Sequence, residues 1–144
     1  MWRMTLLDVD LSPVPTQHLA SLASCVTSTL DICKVHNCDL VSLFISLKCT
    51  KLFITRQSLG REETQALVQA MEYRVEAVVL YKDGELAIES LSKYIQSGQG
   101  SCKKLILCQN TAERYTKELK TFRSRIWRVI QEHDKYFVLT KRFL

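Results

Sequence analysis

Apolar and polar positions along the chain repeat one plan several times. Lys51 to Thr55 alternates, with Leu52 and Ile54 pointing one way and Phe53 and Thr55 the other, which predicts a strand. Leu59-Gly60 marks a turn, and Leu67, Ala70 and Met71 then recur at helical spacing behind Glu62 and Glu63, acids that suit a helix start. Upstream, Leu6 to Leu11 alternates apolar and acidic residues and predicts a first strand. A helix is expected from about Thr16, with Leu19, Leu22, Ala23 and Val26 inward. Leu30 to Cys33 predicts the second strand and Asn37-Cys38-Asp39 the turn. Asp39 caps a helix bearing Leu40, Leu43, Phe44 and Leu47.

Downstream the plan continues. Ala77 to Tyr81 predicts a strand, Asp83-Gly84 a turn, and Leu86, Leu91 and Ile95 a helix face. Leu105 to Cys108 predicts the fifth strand. Asn110 with Glu113 three residues on opens a long helix carrying Ala112, Tyr115, Leu119, Phe122 and Ile126. Tyr136 to Leu139 predicts a last strand. Matching strand positions at Leu7, Leu30, Leu52, Val78 and Leu105 lie 23, 22, 26 and 27 residues apart. Units this short and alike in register predict a solenoid; the alternative is a doubly wound α/β sandwich.

The stretch Leu30-Asp31-Ile32-Cys33 through Asn37-Cys38-Asp39-Leu40, with Leu52-Phe53-Ile54, Leu59 and the helix Arg61 to Met71, resembles leucine-rich repeats. The similarity is to the helical type found in ribonuclease inhibitor and in nucleotide-binding leucine-rich-repeat immune receptors. It covers about residues 5–110 and implies an α/β solenoid of about five strand-helix units, closed by a helix-strand cap over 111–144 within one domain, 1–144. In such a solenoid Asp8, Asp31, Phe53, Val79 and Ile106 are expected on the concave face, with Thr55 beside Phe53. A mixed acidic and apolar ladder suits a protein partner better than a small-molecule pocket. The resemblance thus implies a non-catalytic interaction module related to innate-immune recognition. Self-association is a further expectation, through an edge strand at Leu6 to Leu11 or at Tyr136 to Leu139.

Composition adds one asymmetry. Hydrophobic residues make up 47% of the 144 and charged residues 24%, as in an ordinary globular chain. Residues 1–110 balance eleven basic against eleven acidic side chains, so the whole net charge of +5 falls from Thr111 onward. This basic end, with Lys117, Lys120, Arg123, Arg125 and Arg128, supports an alternative function as a nucleic-acid-binding surface. A capping helix with a solvated basic face accounts for the same pattern. No apolar run is long enough for a membrane span, and the first residues lack a signal-peptide pattern. A cytoplasmic protein with reduced cysteines and no membrane contact is expected.

Candidate chemistry is sparse. Cys33, His36, Cys38 and Cys49 are zinc-compatible types, but Cys-x2-His-x-Cys lacks the paired knuckles of zinc sites. His18, His36 and His133 fall in different units without a nucleophile motif, and adjacent Glu62 and Glu63 point about 100° apart on a helix. No catalytic residue, metal or cofactor is therefore expected.

Overall fold

A computed structural model describes residues 1–81, 84, 86–97, 100–108, 126–132 and 136–142. The elements are β1 (Arg3–Leu7), α1 (Thr16–Cys25), β2 (Thr29–Cys33), α2 (Leu40–Ile45), β3 (Lys51–Thr55) and α3 (Arg61–Tyr73). They continue with β4 (Ala77–Tyr81), α4 (Ile88–Ser97), β5 (Lys104–Cys108), β6 (Trp127–Glu132) and β7 (Tyr136–Lys141). The fold is α/β, a mixed open sheet of seven strands in the order β1-β2-β3-β4-β5-β7-β6. β1 to β5 are parallel and sequential, and β7 and β6 close the row as an antiparallel pair. Neighbouring helices also touch in chain order, α1 on α2, α2 on α3 and α3 on α4.

Register follows the side-chain alternation. Met4, Leu30, Leu52, Val78, Leu105, Leu139 and Val129 lie in one row across the sheet. Leu30, Leu52, Val78, Leu105 and Leu139 are fully buried. They join Leu19 and Ala23 of α1, Leu43 and Phe44 of α2, Leu67 and Met71 of α3, and Leu91 and Ile95 of α4 in a core cluster. Each such leucine contributes about 1.5–3 kcal/mol by leaving water, so this row holds helices and sheet together.

β2, β3, β4 and β5 are launched by the same backbone device. The Trp2 carbonyl accepts from the Ser28 and Thr29 amides, Ser28 from Thr50 and Lys51, Thr50 from Glu76 and Ala77, and Glu76 from Lys103 and Lys104. The strands end alike too. Asp8, Lys34 and Arg56, each the first residue past its strand, take left-handed φ of 47°, 51° and 47°. A single αL residue turns the chain out of the pleat, at a cost that the surrounding backbone bonds offset.

The helices begin where local chemistry satisfies their free amides. Asp39 caps α2 as expected, accepting from the Ser42 amide at 3.1 Å and the Ser42 hydroxyl at 2.7 Å. These bonds hold its carboxyl below the usual range, the Ser42 hydroxyl contributing most. At α3, Glu63 reaches back to accept from the Gly60 amide at 3.0 Å. Buried Thr64 donates to the Gly60 carbonyl at 2.7 Å and accepts from the Ala87 amide at 2.9 Å, tying α3 to the chain before α4.

Four expectations need correction. The first strand is Arg3–Leu7, not Leu6 to Leu11, because the left-handed Asp8 ends it. The aligned residue in β1 is therefore Met4, not Leu7, and the first interval is 26 residues. Leu22 is 39% exposed rather than part of the inward stripe of α1. Trp127–Glu132 forms a strand not anticipated, and it, not Tyr136 to Leu139, takes the sheet edge opposite β1. The expected helix after Asn110, with its cap role, lies outside the described residues, as do the Asp83 part of the turn and His133.

Candidate partner-binding face

Along every strand the residues between the core positions point away from the described helices. They form a row of Thr5, Asp31, Phe53, Val79, Ile106, Val138 and Ile130. All buried apolar residues of the described helices belong to the core cluster, whereas Val79 and Val138 are buried outside it. The row changes character along the sheet. Thr5 donates to Asp31 Oδ2 at 3.0 Å and Arg3 reaches the same oxygen at 2.8 Å, so the β1–β2 end is polar and its one carboxylate is paired. From Phe53 onward the row is wholly apolar, ending at Ile130, which is 37% exposed.

A second row runs two residues earlier on the same face: Arg3, Thr29, Lys51, Ala77, Lys104, Thr140 and Arg128. Its side chains share the face with the first row. Arg3 meets Asp31, and Lys51 Nζ sits 4.9 Å from the Phe53 ring centre, a cation–π contact. On the third row Thr55 stands between Cys33 and Tyr81, and Leu7 is 65% exposed beside Cys33.

Of the residues expected on this face, the register brings Asp31, Phe53 and Val79 into one line, with Thr55 one step along the strand. Asp8 is not in that line. It lies past the end of β1, where its carboxylate stands 3.7 Å from His36 Nε2, and Thr5 occupies the place assigned to it. Of the basic residues proposed for nucleic acid, Arg128 is exposed on this same face in β6. Lys117, Lys120, Arg123 and Arg125 lie outside the described residues. The cationic row was missed in the sequence, since its members come from strands far apart in the chain.

Other chemistry does not assemble. Among the described residues no three potential metal ligands come together. Cys33 is half-buried in β2 and Cys38 lies in the following turn. Burial pushes the Cys38 thiol up, and it pushes the fully buried Cys49 thiol up to about 11. Cys102 stands at the matching place before β5, its thiol likewise pushed up by burial to about 11. Both behave as small core hydrophobes. Cys25, Cys33, Cys38, Cys49 and Cys102 are free thiols. At the ends of β1 and β2, Asp10 accepts from the Ser12 amide at 2.9 Å and from Asn37 Nδ2 at 3.2 Å. The backbone amide and hydroxyl of Ser12, then Asn37, lower the Asp10 carboxyl, which marks an ordered turn. One unit on, Gln57 closes the bend: its Oε1 accepts from the Val35 amide at 2.7 Å and its Nε2 donates to the Val35 carbonyl at 3.2 Å.

A groove of about 450 Å³ between α3 and α4 is lined by Arg61, Gln65, Glu72, Lys93 and Tyr94 among others, with no histidine or cysteine among the described residues of its wall. No described helix is long and apolar enough to cross a membrane. No family model matches the chain, and no curated protein or solved structure matches it either.

Proposed function

We propose that the chain is a non-catalytic protein-interaction module, a short leucine-rich-repeat-like solenoid that meets its partner on the sheet face opposite the described helices. The observation that carries this reading is the row from Phe53 to Ile130, apolar and turned away from the described helices. A solenoid keeps one sheet face for binding while the other packs on helices. The sequential strand order and the repeated carbonyl device before β2 to β5 support that architecture over a wound sheet. The resemblance to immune-receptor repeats supports a setting in innate-immune recognition.

The reading is tested by site-specific photo-crosslinking. A photo-reactive phenylalanine analogue replaces Phe53, with a control at exposed His18 on α1, in cell extract with and without nuclease. Discrete protein adducts from position 53 and not from position 18 are the expected outcome. Adducts equal at both positions, or adducts lost on nuclease treatment, would count against it.

A further inference from the structure

The sheet has β1 at one edge and β6 at the other. Among the described residues β1 pairs with β2 alone, and Arg3, Thr5 and Leu7 are all exposed. Backbone groups of successive strand residues point to opposite edges. The Trp2 carbonyl accepts from Thr29 and the Asp8 amide donates to the Cys33 carbonyl, so the even-numbered residues of β1 are turned to β2. The amides and carbonyls of Arg3, Thr5 and Leu7 are therefore turned outward. Natural sheet edges are blunted by proline, a bulge or a free charge. β1 has no proline, its register with β2 is continuous, and its one charge, Arg3, is held by Asp31 at 2.8 Å. Its core-side residues are incompletely covered as well. Met4 and Leu6 are half-buried, whereas Leu30 and Ile32 beside them are 0% and 1% exposed. Leu7 is 65% exposed and Trp2, just before the strand, 70%.

We propose that β1 pairs antiparallel with β1 of a second copy of this chain, with Thr5 on the two-fold axis. This edge is separate from the row through Phe53, so the proposal stands independently of the interaction reading above. Backbone geometry selects the register. Thr5 opposite Thr5, and Arg3 opposite Leu7, set outward-turned residues against outward-turned residues, so each free amide and carbonyl of the edge gains a partner. Met4 then lies opposite Leu6 of the second copy, a non-hydrogen-bonded pair whose side chains approach closely, and the core row continues across the axis. Charge selects the same arrangement. A parallel pairing in register would set Arg3 against Arg3. The antiparallel one carries Arg3 to the end of β1 where Asp8 and Asp10 stand, both exposed. There the Leu7 side chain can lie along the stem of Arg3 from the second copy. A two-fold contact of this kind closes on itself, so assembly stops at the dimer. One strand from each copy makes a small interface, which fits a reversible monomer–dimer equilibrium.

Sedimentation equilibrium of the full chain under reducing conditions is expected to show monomer and dimer exchanging in the micromolar range. Thr5→Pro removes an outward amide and no bond to β2, so this variant should be monomeric with a thermal melt close to wild type. Leu7→Lys sets a cation against Arg3 on each side of the axis and should weaken association at least about tenfold. Register is read by mild oxidation in a Cys25→Ser background, since Cys25 is exposed. Residues facing each other in a hydrogen-bonded pair have Cα atoms about 5.5 Å apart, within disulfide reach. Thr5→Cys should therefore link to its own copy across the axis, as identified by peptide mass spectrometry. Leu7→Cys, held about 14 Å from its copy, should not. A monomer at every concentration, a dimer unchanged by Thr5→Pro and Leu7→Lys, Leu7→Cys linking as readily as Thr5→Cys, or assembly running on past the dimer would each overturn the proposal. If Thr5→Pro unfolds, Leu7→Lys and the two cysteine variants decide.

Discussion

Leu52 and Phe53 are neighbours in β3, yet they belong to surfaces built under different constraints. The row through Leu52 is apolar at every strand because each member belongs to the core cluster or packs against it, and exchange for a polar residue there would leave an unpaired group in the core. The row through Phe53 changes from Thr5 and Asp31 to valine and isoleucine across the same hydrogen-bonded ladder. Backbone pairing is equal on the two sides, so the ladder does not explain the gradient. What differs is the demand from outside the sheet: the core cluster shared with the described helices fixes one row, and Val79 and Val138 of the other are buried outside that cluster.

The most severe way to break the comparison is truncation on each side. Leu52→Ala should cost about 2–5 kcal/mol in urea unfolding. Phe53→Ala, from a half-buried site, should cost about 1 kcal/mol. Equal losses would mean the two faces are not distinct. Next in size is Gly84→Ala: a Cβ there would stand 2.3 Å from the Ile54 carbonyl oxygen, in the row behind the helices. A loss of about 1–3 kcal/mol is expected. Gly60→Ala meets only Glu63 Oε1 at 3.5 Å and should change stability little by the same measurement.

Smaller effects sharpen the contrast between paired acids. Asp39→Ala removes the α2 cap and should cost about 1 kcal/mol at neutral pH. Because hydrogen bonds from Ser42 lower the Asp39 carboxyl below its ordinary 3.8, the cap contributes fully above that value. Its contribution is lost as pH falls through the lowered value, so wild type and variant should converge in acid. Asp31→Asn on the open face breaks a bridge to Arg3, whose side chain is 54% exposed, and should cost no more than about 1 kcal/mol. The smallest effect leaves stability unchanged: iodoacetamide at mildly alkaline pH should alkylate exposed Cys25 before Cys49 or Cys102, read by peptide mass spectrometry. The latter two are buried with thiols pushed up to about 11.

Much of the fold was legible where local pattern and tertiary demand agree. β2, β3 and β4, the start of α1 and α3, and the Asp39 cap all follow from alternation, helical spacing and capping chemistry. The first strand was misread because Leu7, Val9 and Leu11 alternate with acids as a strand would, while Asp8 holds a left-handed φ that no local signal announces. Lys34 and Arg56 share that conformation, and neither is a residue that favours it. β6 was hidden by its cation. Trp127 and Val129 alternate with Arg128 and Ile130, a period of two that went unread beside a basic stretch taken for a cap. The candidate face was half legible: Asp31, Phe53, Thr55 and Val79 could be placed from alternation alone. The row of alternate cations could not, since it exists only once strands distant in sequence lie side by side.

The paired amides before β2 to β5 have a consequence for how such a chain can change. One carbonyl and two amides set each unit on the last, and these are backbone groups that any residue but proline supplies. Unit length is therefore uncoupled from alignment: spacings of 26, 22, 26 and 27 residues all return to the same launch point. Residues gained or lost between strands alter the helix layer and its turns without shifting a side chain from one face to the other. A whole unit from Thr29 to Thr50 could be duplicated as a cassette, lengthening the sheet by one strand and leaving both faces in register.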